Sequence, residues 1–172
     1  MNSPDAVTNP QLHYSRKRSS VQRLLIPLLT PPNHATPLAS ESADRALKKY
    51  AELTQHVEVG REGKGPSRHM SDYVESFVGF GGIFRIEIVE GEGGLETLFQ
   101  GRESQRFQLR HHHDDAFTWL TSRDEQISRA MFIVFDPVYY MIRFEAGEGG
   151  EVVALNWVHD PGMSEGEDFL RE

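Results

Sequence analysis

The most informative feature of this sequence is a series of short segments in which apolar and polar residues alternate. In Phe84–Ile88 apolar and charged residues alternate strictly, and a period of two predicts a β-strand with one buried face and one solvated face. Similar segments follow along the chain, separated by turns such as the acidic, glycine-rich stretch Glu90–Gly94. The further predicted strands are Leu95–Phe99, Gln105–His113, Asp115–Leu120, Ala130–Phe135, Tyr139–Ala146 and Glu151–Val158.

Consecutive strands joined by short turns favour an antiparallel meander. A meander that closes into a barrel leaves no exposed edges and encloses an interior just wide enough for side chains or one small ligand. The predicted fold class is therefore mainly β. We expect a small, lipocalin-like antiparallel meander barrel of about seven to eight strands, preceded by one or two helices.

The chain divides into three predicted regions. Residues 1–20 are polar and include Pro4 and Pro10, which predicts a disordered N-terminus. Residues 21–70 are predicted to form a helical extension that ends in a Gly/Pro-rich linker, and residues 71–172 the antiparallel barrel. Within the extension, Val21–Thr30 places apolar residues at helical spacing, with a proline in the middle.

A longer helix is predicted from Glu41 to Val57. Ser40 suits the N-cap position, and Glu41 with Arg45 and Asp44 with Lys48 are spaced to form ion pairs on the polar side. Apolar residues recur at steps of three and four, which predicts a stripe that packs on the barrel. These apolar positions are Ala43, Ala46, Leu47, Tyr50, Leu53 and Val57.

Charge and composition exclude several classes of partner. The net charge is -8, and residues 76–172 carry 18 acidic and 8 basic side chains without any lysine. An acidic barrel repels phosphate backbones, so nucleic acid is not an expected partner. The strongest apolar run, residues 21–29, is shorter than the roughly 20 residues that span a bilayer, so no membrane partner is expected either. Cysteine is absent, which excludes disulfides and a thiol nucleophile, and a cytoplasmic location is predicted.

The stretch His111–Asp115 is the first place to look for a metal site. Along a regular strand only His111 and His113 point to the same side, so the local spacing supplies two ligands and not three. We expect an ordinary half-buried strand that turns at Asp114 and Asp115, with no metal and no cofactor.

Aromatic residues recur on the predicted strands and have two interpretations. They fill the interior as core side chains, or they line a pocket for an apolar ligand. No residue is assigned a catalytic role. The second interpretation defines a candidate ligand-binding cavity made of His111, His113, Phe117, Trp119, Tyr140, Arg143 and Trp157.

Several short sequence motifs occur in the order found in a known type of domain. The motifs are Phe99–Gly101, Leu109–Phe117 and Ile142–Phe144, and the last one is followed by a glycine-rich turn and a final strand. In this order they resemble the C-terminal accessory barrel of fungal serine beta-lactamase-like (penicillin-binding-protein-like) hydrolases. The resemblance extends over residues 21–169, because Val21–Ile26 and Glu41–Tyr50 look like the last helix of the hydrolase domain and the helix that leads into its barrel.

The catalytic signature of that family is absent from this sequence. Its enzymes use a Ser-x-x-Lys nucleophile together with a Tyr-x-Asn. Here Ser42 is followed three positions later by Arg45, and Tyr73 is followed two positions later by Glu75. The resemblance therefore implies a non-catalytic, free-standing accessory barrel. Such a module would serve packing or binding, and its expected partners are a separate hydrolase domain or an apolar small molecule.

A second hypothesis comes from a different functional class. The barrel would be a small-molecule isomerase, cyclase or carrier of fungal secondary metabolism that uses its apolar interior. The number of aromatic residues beside His111, His113 and Arg143 motivates this alternative.

The segment Leu95–Gly101 is similar to the cleavage sequence of picornaviral cysteine proteases. It also completes a predicted strand and its turn, so we interpret it as native. Such a protease is expected to cut after Gln100 if the turn is exposed.

Overall fold

The computed structural model describes residues 37–160 and 162–172. The predictions for residues 1–20 and for a helical segment at residues 21–30 lie outside this part of the chain. Residues 46–172 form one compact unit, and the described residues 37–45 belong to a second unit.

Helix α1 spans Pro37–Glu58, which confirms the predicted helix. It begins three residues before the predicted cap, so the assignment of Ser40 as N-cap is wrong. Proline suits the first helical turn because its missing N–H would have no partner there in any case. The predicted pair of Arg45 with Glu41 forms at 3.4 Å.

The second half of α1 packs against the core of the barrel. Leu53 and Val57 are buried and Tyr50 is partly buried. Leu47, which belongs to the same predicted stripe, is 53 % exposed. The apolar stripe therefore buries its later residues and leaves Leu47 in contact with solvent.

Nine antiparallel strands form one sheet in the order β4-β3-β2-β1-β9-β8-β7-β6-β5. Except for β4 and β5, which stand at the two ends of this order, strands that follow one another along the chain are neighbours in the sheet, as in a meander. The strands are β1 (Glu75–Gly79), β2 (Phe84–Gly91), β3 (Gly94–Phe99), β4 (Arg106–Gln108), β5 (Arg110–His113), β6 (Ala116–Thr118), β7 (Met141–Ala146), β8 (Val152–Trp157) and β9 (Glu167–Arg171).

Two features nearly close this sheet into a barrel. Strand β9 returns to pair with β1, where Val78 lies opposite Leu170. Strands β4 and β5 are successive parts of one segment, separated by Leu109 alone, and they pair with β3 and β6 respectively. The main-chain N–H of Leu109 donates to the carbonyl of Leu95 at 2.8 Å, so this segment bridges the two ends of the sheet. The predicted meander barrel is confirmed, with slightly more strands than predicted.

The alternating pattern fixes which side chains face inward. In β2, Ile86 and Ile88 are buried and Arg85 is exposed, as the period of two predicts. Among the described residues, no helix combines the length and apolar character that crossing a membrane requires.

One predicted strand is wrong, and two observed strands, β1 and β9, were not predicted. Residues 130–135 form no strand and follow a short helix, α2 (Arg123–Ser128). Ala130 has a positive φ of 54°, which interrupts an extended backbone, and Phe132 is 94 % exposed. Strand β9 escaped prediction because only Phe169 and Leu170 are apolar within it, and they do not alternate.

Candidate functional site

Four residues of the predicted cavity, Phe117, Trp119, Tyr140 and Trp157, are buried in the core. Their rings pack against other aromatic rings. The ring centre of Trp119 lies 5.0 Å from that of Tyr140 and 6.0 Å from that of Trp157. Phe99 stacks on Trp157 at 5.0 Å with 27° between the ring planes. Interlocked rings of this kind fill much of the interior of a small barrel.

Trp119 Nε1 and Thr97 Oγ1 are buried and have no hydrogen-bond partner in the described part of the chain. Thr97 lies opposite the core residue Phe107 in the sheet. Trp157 differs, because its Nε1 donates to the carbonyl of Tyr139 at 2.7 Å. An unpaired buried polar atom costs free energy. A polar group of a ligand inside the barrel would therefore gain a stabilising hydrogen bond at either atom.

The three histidines of β5 have different surroundings. A bulge lies between His111 and His113, so the regular alternation that would place them on one side does not hold. His111 Nε2 lies 2.8 Å from the carbonyl of Asp114. His112 is the buried histidine, with Nε2 2.9 Å from the carbonyl of Val57. Burial, followed by the neighbouring His113, lowers the pKa of His112 and favours its neutral form.

Arg143 is exposed on β7. Together with His113 and Asp115 it lines a surface cavity of about 170 Å³. The structure therefore brings two predicted site residues, His113 and Arg143, to one small cavity on the surface, apart from the four buried rings. Among residues 37–160 and 162–172, no group of three or more His, Cys, Asp or Glu side chains is placed to hold a metal ion.

Asp115 anchors the segment before β1 to the barrel. Its carboxylate accepts hydrogen bonds from Tyr73 Oη at 2.5 Å, from Arg68 Nε at 3.1 Å and from Ser67 Oγ. Burial acts to raise the pKa of Asp115, but the hydrogen bonds from Ser67, Tyr73 and Arg68 outweigh it and hold the pKa below its ordinary value. A carboxylate engaged in this way has a structural role.

A groove of about 320 Å³ lies outside the barrel, between the second half of α1, strands β5 and β6, and the loop after β6. It is termed the α1 groove. Ligand pockets of small molecules start at about this size, roughly 300 Å³. The groove combines apolar and polar side chains, among them Tyr50, Thr54, Val57, Arg110, Leu120 and Arg123.

Buried hydrogen bonds hold one wall of the α1 groove. Tyr50 Oη donates to the carbonyl of Thr121 and accepts a hydrogen bond from Gln126 Nε2 at 3.1 Å. Tyr140 Oη donates to Gln126 Oε1 at 3.2 Å and accepts from the main-chain N–H of Val134 at 3.1 Å. Burial raises the pKa of Tyr140 to about 12, so its hydroxyl remains a donor at neutral pH. The network fixes Tyr50 against α2.

Arginines surround the α1 groove. Glu58 is shared by two of them: Arg61 Nη2 and Arg110 Nη1 each lie 3.2 Å from a Glu58 carboxylate oxygen. The hydrogen bond from Arg61 is the main cause that lowers the pKa of Glu58. Arg123 approaches Asp124 at 3.5 Å, and the Asp124 side chain is 94 % exposed. Among the side chains that line the groove, two arginines, Arg110 and Arg123, stand beside one carboxylate, Glu58. The Glu125 carboxylate lies behind the lining and accepts a hydrogen bond from Thr121 Oγ1.

The sequence pointed to the α1 groove only in part. The helical stripe that contains Tyr50 and Val57 predicted that α1 packs on the barrel. The sequence did not identify Arg110 or Arg123 as site residues, because Arg110 lies in an ordinary strand and Arg123 in a polar stretch that opens the short helix α2. The two arginines meet only when α1 covers β5 and β6.

The resemblance to accessory barrels of beta-lactamase-like hydrolases remains a prediction from the order of the sequence motifs. No protein-family model, no curated protein and no solved structure matches this chain.

Proposed function

We propose that this chain is a non-catalytic accessory barrel that binds a small molecule in the α1 groove. The observation that carries the proposal is the contrast between the barrel interior and the groove. Phe117, Trp119, Tyr140 and Trp157 pack against other rings inside. The groove presents apolar and polar side chains around about 320 Å³ of accessible space.

The non-catalytic part of the proposal rests on the side chains that acid–base or nucleophilic chemistry would need. The sequence has neither Ser-x-x-Lys nor Tyr-x-Asn. Asp115 is engaged by three side-chain donors, and Glu58 is engaged by Arg61 and Arg110. A carboxylate whose pKa is held low by such donors is a poor general base at neutral pH.

The binding part of the proposal rests on the rigidity of the α1 groove. The Tyr50 hydroxyl is fixed by Thr121 and Gln126. Arg61 Nη2 donates to Thr118 Oγ1 at 2.9 Å and so ties the end of α1 to β6. A site whose side chains are already ordered loses little conformational entropy when a ligand binds.

Titration with naphthamide, a flat and uncharged probe, tests where binding occurs. The two tryptophans of the chain both lie in the interior, so their indole NMR signals report on ligands that enter the barrel. We expect saturable shifts of the Thr54 and Leu120 signals with little change of the indole signals. Shifts concentrated on Trp119 and Trp157 would contradict binding in the α1 groove.

A pair of variants on α1 provides the matched control. Thr54→Phe places a ring in the α1 groove and is expected to weaken probe binding by about tenfold or more, equivalent to about 1.4 kcal/mol. Gln55→Phe adds the same ring at an exposed position that does not line the groove, and binding should be retained. Equal effects of the two substitutions would contradict the proposed site.

Hydrolysis assays test the non-catalytic part separately. We expect no turnover of chromogenic beta-lactams or esters above buffer. Turnover that a serine-reactive inhibitor abolishes would contradict this part of the proposal.

The second candidate function is a small-molecule carrier, isomerase or cyclase that uses the barrel interior. It is favoured by the unpaired buried atoms Trp119 Nε1 and Thr97 Oγ1, which would gain hydrogen bonds from a polar ligand. The two tryptophans provide the test, since an interior ligand would change their fluorescence in a saturable manner. Fluorescence that stays constant while the probe occupies the α1 groove counts against this candidate.

The proposed partner is thus a small molecule, and the proposed location is the cytoplasm. The lack of cysteine fits a reducing compartment. A separate hydrolase domain stays the alternative partner that the sequence resemblance suggests.

A further inference from the structure

We infer that the α1 groove selects small anionic ligands, specifically monocarboxylates with a flat apolar body, and that Arg123 is the residue that recognises the carboxylate. This inference rests on the proposed function, in which the groove binds a small molecule. It specifies, in addition, the charge and shape of the ligand and the residue that recognises it.

Arg123 is placed to receive an anion. Its side chain lines the α1 groove and is only 28 % exposed. Its ion pair with Asp124 is long, at 3.5 Å, and Asp124 is almost fully solvated. Exposed ion pairs of this kind contribute little and are screened by salt. A ligand carboxylate that sits in the groove would therefore compete well with Asp124 for the guanidinium.

Arg110 is a second, weaker donor at the same rim. Its partner Glu58 is already engaged by Arg61, which also donates to the carbonyl of His111. Arg110 is 58 % exposed, so it can turn toward a ligand while Arg61 keeps Glu58 paired. Two guanidinium groups near one groove suit a carboxylate, because each presents paired N–H donors that match its two oxygens.

The rest of the α1 groove defines the body of the ligand. The apolar surface comes from Leu120 and the ring of Tyr50, above the buried Val57, and a flat hydrocarbon ring would pack against it. The remainder of the barrel is acidic, with 18 acidic and 8 basic side chains in residues 76–172. That surrounding charge disfavours multiply charged anions, so a single carboxylate is the better match.

Naphthoate and naphthamide form a matched pair of probes, because they share the ring and differ in charge. We expect naphthoate to bind at least about tenfold more tightly than naphthamide at low salt, and its affinity to fall as the salt concentration rises. Equal affinities would overturn the selectivity for anions while leaving the proposed function intact. Failure of both probes to bind in the α1 groove would overturn the proposed function itself.

Two arginine variants assign the recognition to Arg123. Arg123→Gln should weaken naphthoate about tenfold and leave naphthamide nearly unchanged, which separates loss of charge recognition from loss of fold. Arg102→Gln removes an equal charge from an exposed arginine outside the groove, and it should retain naphthoate affinity. If both variants weaken naphthoate equally, or if Arg123→Gln has no effect, the assignment of Arg123 is wrong.

Discussion

The Tyr140 hydroxyl donates a hydrogen bond to Gln126 Oε1 across 3.2 Å, and both side chains are buried. The same glutamine donates to Tyr50, so one amide joins α1, α2 and the segment before β7. Buried polar networks stabilise a fold when every member has its partner and destabilise it when one partner is lost.

Gln126→Leu is therefore expected to lower the free energy of unfolding by about 1–3 kcal/mol, because Tyr50 and Tyr140 each lose a buried partner. Urea unfolding followed by circular dichroism measures this change. The control is Gln55→Leu on the exposed surface of α1, expected to stay within about 0.5 kcal/mol of the wild type. A Gln126→Leu variant as stable as this control would show that the network contributes little.

Substitutions at the two tryptophans distinguish the contribution of a hydrogen bond to stability from the contribution of packing. Both lie in the same aromatic core, but Trp157 Nε1 donates to the carbonyl of Tyr139 and Trp119 Nε1 lacks a partner among the described residues. Trp157→Phe should therefore destabilise the protein by about 1 kcal/mol more than Trp119→Phe. Thermal and urea unfolding of the two variants measure the difference. A larger cost for Trp119→Phe would indicate that its N–H has a partner, as an occupied interior would provide.

Acid stability tests the anchor at Asp115. Its pKa is lowered in the folded protein, so the stabilisation is complete above the ordinary pKa of an aspartate, about 3.9, and is lost as the pH falls from there through the folded value. Asp115→Asn should be less stable than the wild type at neutral pH and should lose less stability as the pH falls below about 4.

The control for this substitution is Asp114→Asn, which changes the exposed neighbouring carboxylate. It should keep the acid dependence of the wild type. If Asp115→Asn retains that dependence as well, the anchor does not contribute to acid stability.

Much of the barrel could be predicted because its signal is local. The alternation in Phe84–Ile88 marks an inner and an outer face, and the observed burial of β2 follows it. Strand β9 has no such pattern and is fixed instead by pairing with β1 and β8. Residues 130–135 have the apolar pattern of a strand but do not join the sheet. The positive φ of Ala130 and a hydrogen bond from the Val134 N–H to Tyr140 hold them in another conformation.

The candidate site was less predictable than the fold for a physical reason. The sequence identified aromatic residues and histidines, but not whether rings such as Trp119 would face an opening or one another. The α1 groove depends on long-range contacts, since Arg110 and Arg123 come together only where α1 lies across β5 and β6. Residue types and spacing along the chain do not carry that information.

The turn at Gln100 determines how the chain responds to a picornaviral cysteine protease. Gln100 is exposed, but it and Gly101 have positive φ values of 57° and 61°, and the Gln100 amide is held by Ile83 and Arg85. Cleavage requires the turn to open into an extended strand. We expect the folded protein to be cut at least about tenfold more slowly than a peptide spanning Leu95–Gly101, as measured by mass spectrometry. Equal rates would show that this turn opens freely.

A crystal structure of the protein with naphthoate shows directly whether the α1 groove binds an anionic ligand. We expect the naphthalene ring in the α1 groove against Tyr50 and Leu120, with the carboxylate within hydrogen-bond distance of Arg123. A ring bound inside the barrel between Trp119 and Trp157, or an empty groove at a naphthoate concentration that saturates binding in solution, would contradict this expectation.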